Sequence, residues 1–351
     1  MRTIQLISKN IKLLILFCTL LSVNSYAQDI HFSQFHQVPL LVNPSLAGVF
    51  SGDFRSFVNY KEQWNSIAPY NTYGIGLDGG LFKKNKDKYL GAGLFIYQDV
   101  AGDSRLSTTE INLSLSSVIT INKSHIISAG LQGGIAQKKM DMAGLRWGTQ
   151  YDAGGYAPEK SSKEAGAYEN HTYGDFSMGI SWSHGKSTAN MSSNNHFKAK
   201  AGVALYHINT PKQGINLDKL HMEFIAHAGL NVGLKGTSLS LLPSLLYLQQ
   251  GPLNEISSGA MIRHTIREES KYTGLMKEIA VQIGVYYRVG DAVIPTCMFE
   301  IANYSLGISY DMNVSSLKEA TNGAGGMELS FRYLTPNPFK SGKGTKYTPM
   351  L

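Results

Sequence analysis

The sequence is poor in charge, in cysteine and in long apolar runs. Only 16% of its 351 residues are charged, compared with about 25% in typical soluble domains. Of its two cysteines, Cys18 lies in the N-terminal leader, so Cys297 alone cannot form an internal disulfide. Beyond the leader, no uninterrupted apolar run reaches the ~20 residues that a membrane helix needs. These absences exclude a disulfide-stabilised fold and a helical membrane protein.

The chain also lacks the motifs of common enzyme and metal sites. Neither H-E-x-x-H nor G-x-S-x-G occurs, and no two histidines have ligand spacing on a helix. We therefore predict no enzyme activity, no cofactor and no metal site, although distant barrel strands could still assemble a hydrolase site. The net charge of +7 is mild and no nucleic-acid patch is visible. The histidines interpreted as solvated or lumen-facing are His31, His36, His171, His184, His207, His221 and His227.

The N-terminal residues predict export. Three cations precede an apolar run from Leu13 to Val23, and Ser25-Tyr26-Ala27 matches a small-x-small cleavage site. The run is shorter than the ~20 residues that a membrane anchor requires. Residues 1–27 are therefore predicted to be a signal peptide, which would leave Gln28 as the first residue of the mature chain.

After the leader, apolar residues alternate with small or polar residues in many successive segments. From Ile279 to Arg288, mostly β-branched and aromatic residues alternate with small or polar ones, which is the period of a strand with two unlike faces. A soluble sandwich would show the same alternation. Export, low charge, 36 Gly and 19 Tyr favour a membrane barrel instead, because its apolar face contacts lipid. Lipid cannot satisfy open backbone groups, so such a sheet must close.

The count of these segments predicts an all-β fold, namely a transmembrane antiparallel outer-membrane β-barrel of about fourteen strands over residues 54–334. An even number of strands would place both termini on the same side of the membrane. Pro295 weakens the strand prediction for the segment from Ala292 to Ile301, because proline has no N–H to donate to a neighbouring strand. Residues 335–351 would then form a periplasmic tail. The barrel is predicted to lie in the lipid of the cell outer membrane.

Residues 28–53 show no sustained alternation and predict an ordered N-terminal arm. Two interpretations remain open. The arm enters the lumen as a plug and pairs with polar residues such as Glu110, Asn112 and Gln282, or it rests on the periplasmic rim as a docking surface. An arm without a period of its own needs a surface to order it. The candidate plug or docking residues are Asp29, His31, Phe32, Ser33, Gln34, Phe35, Asn43 and Pro44.

The longest break in the alternation runs from Lys139 to Asn170. A connection of this length inside a compact domain usually has a function or is disordered. Strand parity predicts that it lies outside the cell, where Tyr151, Tyr156 and Tyr168 would supply contact area for a surface partner. The alternative is a variable loop without a partner.

Five tyrosines near the C-terminus have two interpretations. They form an interfacial girdle that anchors the barrel at the lipid headgroups, or they form a platform on which a sugar or peptide stacks. These residues are Tyr286, Tyr287, Tyr304, Tyr310 and Tyr333.

Six short motifs span nearly the whole mature chain. They are D-x-H-F-S-Q-F at Asp29 to Phe35, N-P-S-L-A-G at Asn43 to Gly48, Y-K-x-Q-W at Tyr60 to Trp64, Y-Y-R-x-G-D-A at Tyr286 to Ala292, G-I-S-Y-D-M-N at Gly307 to Asn313 and G-G-M-E-L-S at Gly325 to Ser330. Together they make the chain resemble the PorP/SprF family. The middle of the chain matches that family in pattern rather than by motif.

The resemblance implies an outer-membrane barrel of Bacteroidota associated with type IX secretion and gliding motility. Some members of that family belong to the secretion machine, and others serve one large secreted adhesin. The implied function is a scaffold or anchor for secretion and cell-surface attachment of a partner protein. The implied partners are periplasmic type IX secretion components and a secreted surface protein or adhesin. The alternative function is an outer-membrane porin or transporter for small solutes.

Overall fold

A computed structural model describes residues 29–64, 68–82, 87–102, 104–122, 124–141, 145–152, 155–163, 170–187, 194–214, 219–268 and 277–335. Within these residues, fourteen antiparallel strands form a closed barrel in which the first strand pairs with the last. The predicted fold class and strand number are confirmed. The barrel strands are β1 Phe54–Gln63, β2 Tyr70–Leu81, β3 Lys88–Ala101, β4 Leu106–Asn122, β5 His125–Lys139, β6 His171–Ser187, β7 His196–Tyr206, β8 Glu223–Gly233, β9 Leu239–Gln250, β10 Leu253–Arg267, β11 Ile279–Arg288, β12 Ala292–Ile301, β13 Tyr304–Asn313 and β14 Ala324–Leu334.

The alternation of residue types separates the two faces of the barrel wall. In β4, Ile111 and Leu113 point outward and are 50% and 55% exposed. Their neighbours Asn112 and Ser114 point inward and are buried. The outer surface is therefore apolar and suited to lipid, while the inner surface carries hydroxyl, amide and charged groups. No helix of the described chain is long and apolar enough to cross a membrane.

Proline interrupts one strand ladder at the expected place. The β12–β13 register pairs Val293 with Met312 and Thr296 with Ser309, with no pair recorded between them. Pro295 occupies this interval and points outward. Because proline lacks an N–H, it cannot complete the ladder toward a neighbouring strand. The barrel closes around this local gap.

The barrel has two distinct ends. The terminal end contains Phe54 at the start of β1 and Leu334 at the end of β14. The opposite loop end contains the connection between β5 and β6. In that connection the pairs Tyr151–Tyr156 and Asp152–Gly155 form a small antiparallel hairpin. Tyr168 lies outside the described residues.

The C-terminal tyrosines do not share one environment. Tyr287, Tyr304 and Tyr310 point outward and are between 42% and 51% exposed. Tyr333 is partly buried. Tyr286 is only 2% exposed, so its interpretation as part of an interfacial girdle is wrong. Its position in the alternation of β11 places it on the inner face of the barrel, away from lipid.

Candidate functional site

The N-terminal arm, residues 29–53, follows the barrel lumen from the loop end to the terminal end. It contains short helical turns at Phe35–Gln37, Pro39–Val42 and Pro44–Leu46. Pro39 and Pro44 stand at the first positions of their turns, where proline's fixed φ suits a helix and its missing N–H is not needed. These turns were not predicted, because they are too short to show a helical period.

The N-P-S-L-A-G motif forms one of these turns by local capping. The Asn43 side chain accepts from the Ser45 N–H over 2.9 Å and from the Ser45 hydroxyl over 2.7 Å. Its amide donates across the lumen to the carbonyl oxygens of Ile180 and Val203, each at 3.1 Å. Asn43 therefore shapes the arm and also fixes it to β6 and β7.

Apolar side chains of the arm pack against two sides of the barrel wall. Phe35 belongs to a buried cluster with inner-face residues such as Tyr206 and Tyr286. Leu40 belongs to a second cluster that includes Phe57. Because the arm contacts opposite walls, it lies within the lumen rather than on a rim. Removing these large side chains from water supplies much of the free energy that orders the arm.

Inner-wall glycines allow the arm to approach the strands closely. A Cβ at Gly91 in β3 would lie 2.0 Å from the Ala47 carbonyl oxygen. A Cβ at Gly307 in β13 would lie 2.2 Å from Oε1 of Gln34. Both distances are far below van der Waals contact, so any side chain here would displace the arm.

Near the loop end, two carboxylates hold the D-x-H-F-S-Q-F motif. Glu328 accepts from the backbone N–H groups of Ser33 and Gln34 over 2.6 and 3.0 Å. Asp311 accepts from the Ser33 hydroxyl over 2.6 Å, and Arg288 donates to that hydroxyl over 2.8 Å. Charge-assisted bonds of this kind are about twice as strong as neutral ones.

Two buried cations pair with Asp311 and the neighbouring Glu255. The Arg288 guanidinium lies 3.1 Å from Asp311 and 3.4 Å from Glu255. The Lys61 ammonium donates to the His31 carbonyl oxygen over 3.1 Å and lies 3.6 Å from Asp311. Buried charges are stable only when they are paired and hydrogen-bonded. The arm supplies part of that pairing through its backbone.

Four motifs of the barrel thus meet the first motif of the arm at one place. Their charged residues point inward from β1, β11, β13 and β14, which are neighbours or near neighbours around the barrel. The motifs were recognised separately in the sequence, but their meeting was missed. In each of these strands the charged residue occupies an inward-facing position of the alternation close to the loop end. This common placement was the signal that would have revealed their meeting. We call the group the motif hub: Ser33, Gln34, Lys61, Glu255, Arg288, Asp311 and Glu328.

A second polar group fixes the start of the arm. Asp29 lies 2.7 Å from Nε2 of His207, whose Nδ1 lies 3.0 Å from Asp175. Gln250 also donates to Asp29 over 2.7 Å. Burial would lower the pKa of His207, but Asp29 and Asp175 raise this pKa well above its usual value. Burial favours a higher pKa for Asp29, yet His207 and Gln250 hold it below its usual value.

The terminal half of the arm bonds to wall hydroxyls and to one buried ion pair, Arg55–Asp78, whose guanidinium donates to the Leu46 carbonyl oxygen over 3.2 Å. The Ser128 hydroxyl donates to the Ser45 carbonyl oxygen, and the Ser116 hydroxyl donates to that of Ala47, both over 2.7 Å. Further down, Asp78 accepts from the Gly48 N–H over 2.8 Å. Short hydroxyls on the wall therefore satisfy the arm's backbone without filling the lumen.

The three wall residues proposed as plug partners have other contacts. Glu110, Asn112 and Gln282 all point inward and are buried. Glu110 accepts from the Tyr97 hydroxyl over 2.6 Å and from the Asn112 amide over 2.8 Å. The Gln282 amide donates to Glu300 over 2.8 Å. The expectation that the arm satisfies them was wrong, because the hydrogen bonds that these three side chains make are to other wall residues.

His36 occupies the apolar middle of the lumen. Its ring stacks on Tyr286 with centroids 5.7 Å apart, and neither ring nitrogen has a hydrogen-bond partner in the described residues. A cavity of about 110 Å³ lies beside His36, and another of about 40 Å³ lies beside Asp29.

Comparison with known families decides the affiliation. The model of the family described as "Type IX secretion system membrane protein PorP/SprF" matches residues 24–333. The chain belongs to the PorP/SprF family. This PorP/SprF protein is therefore an outer-membrane β-barrel of a type IX secretion family, as its motifs predicted. A comparison with curated proteins gives no significant match.

Solved structures of other barrels are similar to this PorP/SprF protein at low identity. The beta domain of the Bordetella autotransporter BrkA has 11% identity and a TM-score of 0.40, with 81% of this chain and 99% of that chain covered. The Ralstonia pickettii toluene transporter TbuX has 8% identity and a TM-score of 0.43, covering 85% and 94%. BamA from Haemophilus ducreyi, lacking POTRA domains 1–3, has 10% identity and a TM-score of 0.41, covering 81% and 70%.

Proposed function

We propose that this protein is an outer-membrane scaffold or anchor that supports the secretion and cell-surface attachment of a partner protein such as a large adhesin. The observation that carries the proposal is the arm within the lumen. The cavities beside Asp29 and His36 measure about 40 and 110 Å³, whereas a porin needs a continuous aqueous path. A plugged barrel suits a structural role better than solute passage.

The loop end is the proposed surface for the secreted partner. If the termini lie in the periplasm, as in other outer-membrane barrels, this end faces the exterior. The hairpin there carries Tyr151, which is 50% exposed, and Tyr156, whose ring lies 4.9 Å below the Arg146 guanidinium. Aromatic side chains on this hairpin offer contact area to a partner and lose little conformational entropy on binding. Tyr168 remains a candidate on sequence grounds alone.

The terminal end is the proposed surface for periplasmic secretion components. In this proposal residues 1–27 are removed as a signal peptide, residues 28–53 form the plug, and residues 335–351 extend into the periplasm. The family affiliation supports contact with the type IX machinery. The contact between the terminal end and a particular periplasmic component belongs to the proposal.

Planar-bilayer recording tests the plugged scaffold against the porin alternative. We expect the unaltered barrel to be silent and a variant lacking Asp29 to Gly48 to conduct, because the deletion removes the material that fills the lumen. Heat-modifiable migration on a gel would verify that the deleted form is still a barrel. Large and steady conductance from the unaltered protein would support the porin or transporter and refute the plug.

Replacement of Lys139 to Asn170 by a short Gly-Ser linker tests the partner surface. We expect an assembled barrel and the loss or release of one secreted surface protein, with general type IX secretion intact. Lys160→Ala serves as a control, since its salt bridge to Asp152 is exposed and contributes little. An unchanged surface proteome would remove the loop from the mechanism. Loss of all type IX cargo would assign the protein to the core machine.

A further inference from the structure

Three potential metal ligands from separate parts of the chain meet at the start of the arm. Asp29 belongs to the arm, His207 follows β7, and Glu223 begins β8. Their ligand atoms all lie within 4.8 Å of one another. His207 and Glu223 are 5% and 6% exposed. No motif spacing along the sequence brings these residues together, and only closure of the barrel around the arm does.

The imidazole in this group is oriented by a second carboxylate. Nδ1 of His207 lies 3.0 Å from Asp175, which is buried on the inner face of β6. With Nδ1 facing Asp175, the other ring nitrogen, Nε2, is directed toward Asp29 at 2.7 Å. Metal-binding histidines are oriented in the same way, with the second ring nitrogen donating to a carboxylate or carbonyl.

Glu223 provides an independent observation that points to a cation ligand. Its side chain is almost fully buried, yet it has no hydrogen bond or ion pair with the residues that the structure describes. It borders the cavity of about 40 Å³ together with Asp29 and Glu110. Three carboxylates surround this small cavity, and the two histidines that also line it, His31 and His207, leave an excess of negative charge. Such an excess is costly unless a cation or a proton compensates it.

We propose that Asp29, His207 and Glu223 bind a divalent transition-metal ion of the Zn²⁺ class. Imidazole nitrogen and carboxylate oxygen are both zinc ligands, and three protein ligands with one open position are typical of a zinc site that also binds water. Ca²⁺ instead requires six to eight oxygens, and Mg²⁺ retains most of its water. Tetrahedral zinc places its ligand atoms about 3.3 Å apart, so the Asp29–His207 contact needs to open by only roughly half an ångström. Gln250 keeps the Asp29 carboxylate in place during this change.

Such a metal ion joins the first residues of the arm to the wall at β7 and β8. The motif hub holds the arm to β1, β11, β13 and β14 on another part of the wall. The ion therefore adds a second, separate attachment near the loop end. This inference does not depend on the proposed scaffold function, because an attached arm is compatible with any role of the barrel.

Calorimetric titration of the EDTA-treated, full-length protein in detergent tests the site. We expect one equivalent of Zn²⁺ to bind at least ten-fold more tightly than Ca²⁺. His207→Gln and Glu223→Gln each remove one ligand and should weaken Zn²⁺ binding at least ten-fold. Asp175→Asn leaves the ligands intact and should weaken binding 10- to 100-fold through the orientation of His207. His264→Gln, on the exposed outer face of β10, is the matched control and should bind as the unaltered protein does.

Equal binding by His207→Gln and the unaltered protein would overturn the proposal, as would equal affinity for Zn²⁺ and Ca²⁺. Heat-modifiable migration verifies that each variant is folded. A measurement without any substitution gives a further check: anomalous diffraction at the zinc edge from crystals soaked in ZnCl₂. A peak between Nε2 of His207 and the Glu223 carboxylate supports the site. A peak only elsewhere, or none, refutes it.

Discussion

The two halves of the N-terminal arm are held in the same lumen by different means. At the loop end, Ser33 and Gln34 donate to Glu328, and Ser33 also donates to Asp311, which is paired with Arg288 and Lys61. At the terminal end, the arm's carbonyl groups accept from wall hydroxyls such as that of Ser128, and glycines provide clearance. The first half therefore depends on a network of several charges, whereas the second depends on wall hydroxyls, close packing and the single Arg55–Asp78 ion pair. Each half should fail under a different kind of substitution.

Loss of Arg288 should have the largest effect. The change Arg288→Ala leaves Asp311 and Glu255 without their shared cation, and an uncompensated buried charge costs about 3–5 kcal/mol. We expect a decrease of that size in the free energy of unfolding, measured by urea titration in lipid vesicles. Arg267→Ala, at an exposed site at the end of β10, should change it by less than about 0.5 kcal/mol. Similar values for the two variants would show that the motif hub does not stabilise the arm through charge.

Gly91→Ala should disturb the terminal half by size alone. The added methyl would meet the Ala47 carbonyl oxygen at 2.0 Å, and overpacking of this kind costs about 1–3 kcal/mol. The matched control is Gly185→Ala in β6, where a Cβ meets no atom within 4 Å. The same urea titration should separate the two variants. A neutral Gly91→Ala would mean that the arm moves away from β3 without loss.

One substitution made in both halves gives the smallest and sharpest contrast. Ser33 bonds to the charged Asp311, so Ser33→Ala should cost about 1.5–3 kcal/mol. Ser128 bonds to the neutral Ser45 carbonyl, so Ser128→Ala should cost about 1 kcal/mol. Both side chains are buried, which removes exposure as a cause of any difference. Equal losses of unfolding free energy would erase the distinction between the halves.

The barrel was predictable because its cause is local. Each strand has a lipid-facing side and a lumen-facing side. This difference appears in the sequence as an alternation of apolar and polar residues with a period of two, in segments such as Ile111 to Leu115. Even the gap at Pro295 followed from the chemistry of a single residue. The same parity placed Tyr286 on the inner face, and the girdle interpretation ignored it.

The arm and its contacts were less predictable because their causes are distant. The turn at Pro39–Val42 is stable only against the walls that surround it. The motif hub joins residues as far apart as Ser33 and Glu328. The group around His207 exists only because β7 ends and β8 begins beside Asp29. Periodicity reports the environment of one strand and contains no information on which strands become neighbours across a lumen.

The seam of the barrel has a consequence for its assembly. β1 pairs with β14 from Arg55–Leu334 to Gln63–Gly326, and β1 is also the segment that directly follows the arm. The ring is thus sealed by the continuation of the very chain that it encloses. Because Asp29 and Phe54 lie at opposite ends of the lumen, sideways entry of the arm requires an unzipped seam. Docking of the arm therefore has to precede the last strand pairing, or the arm must be threaded through an open end afterwards.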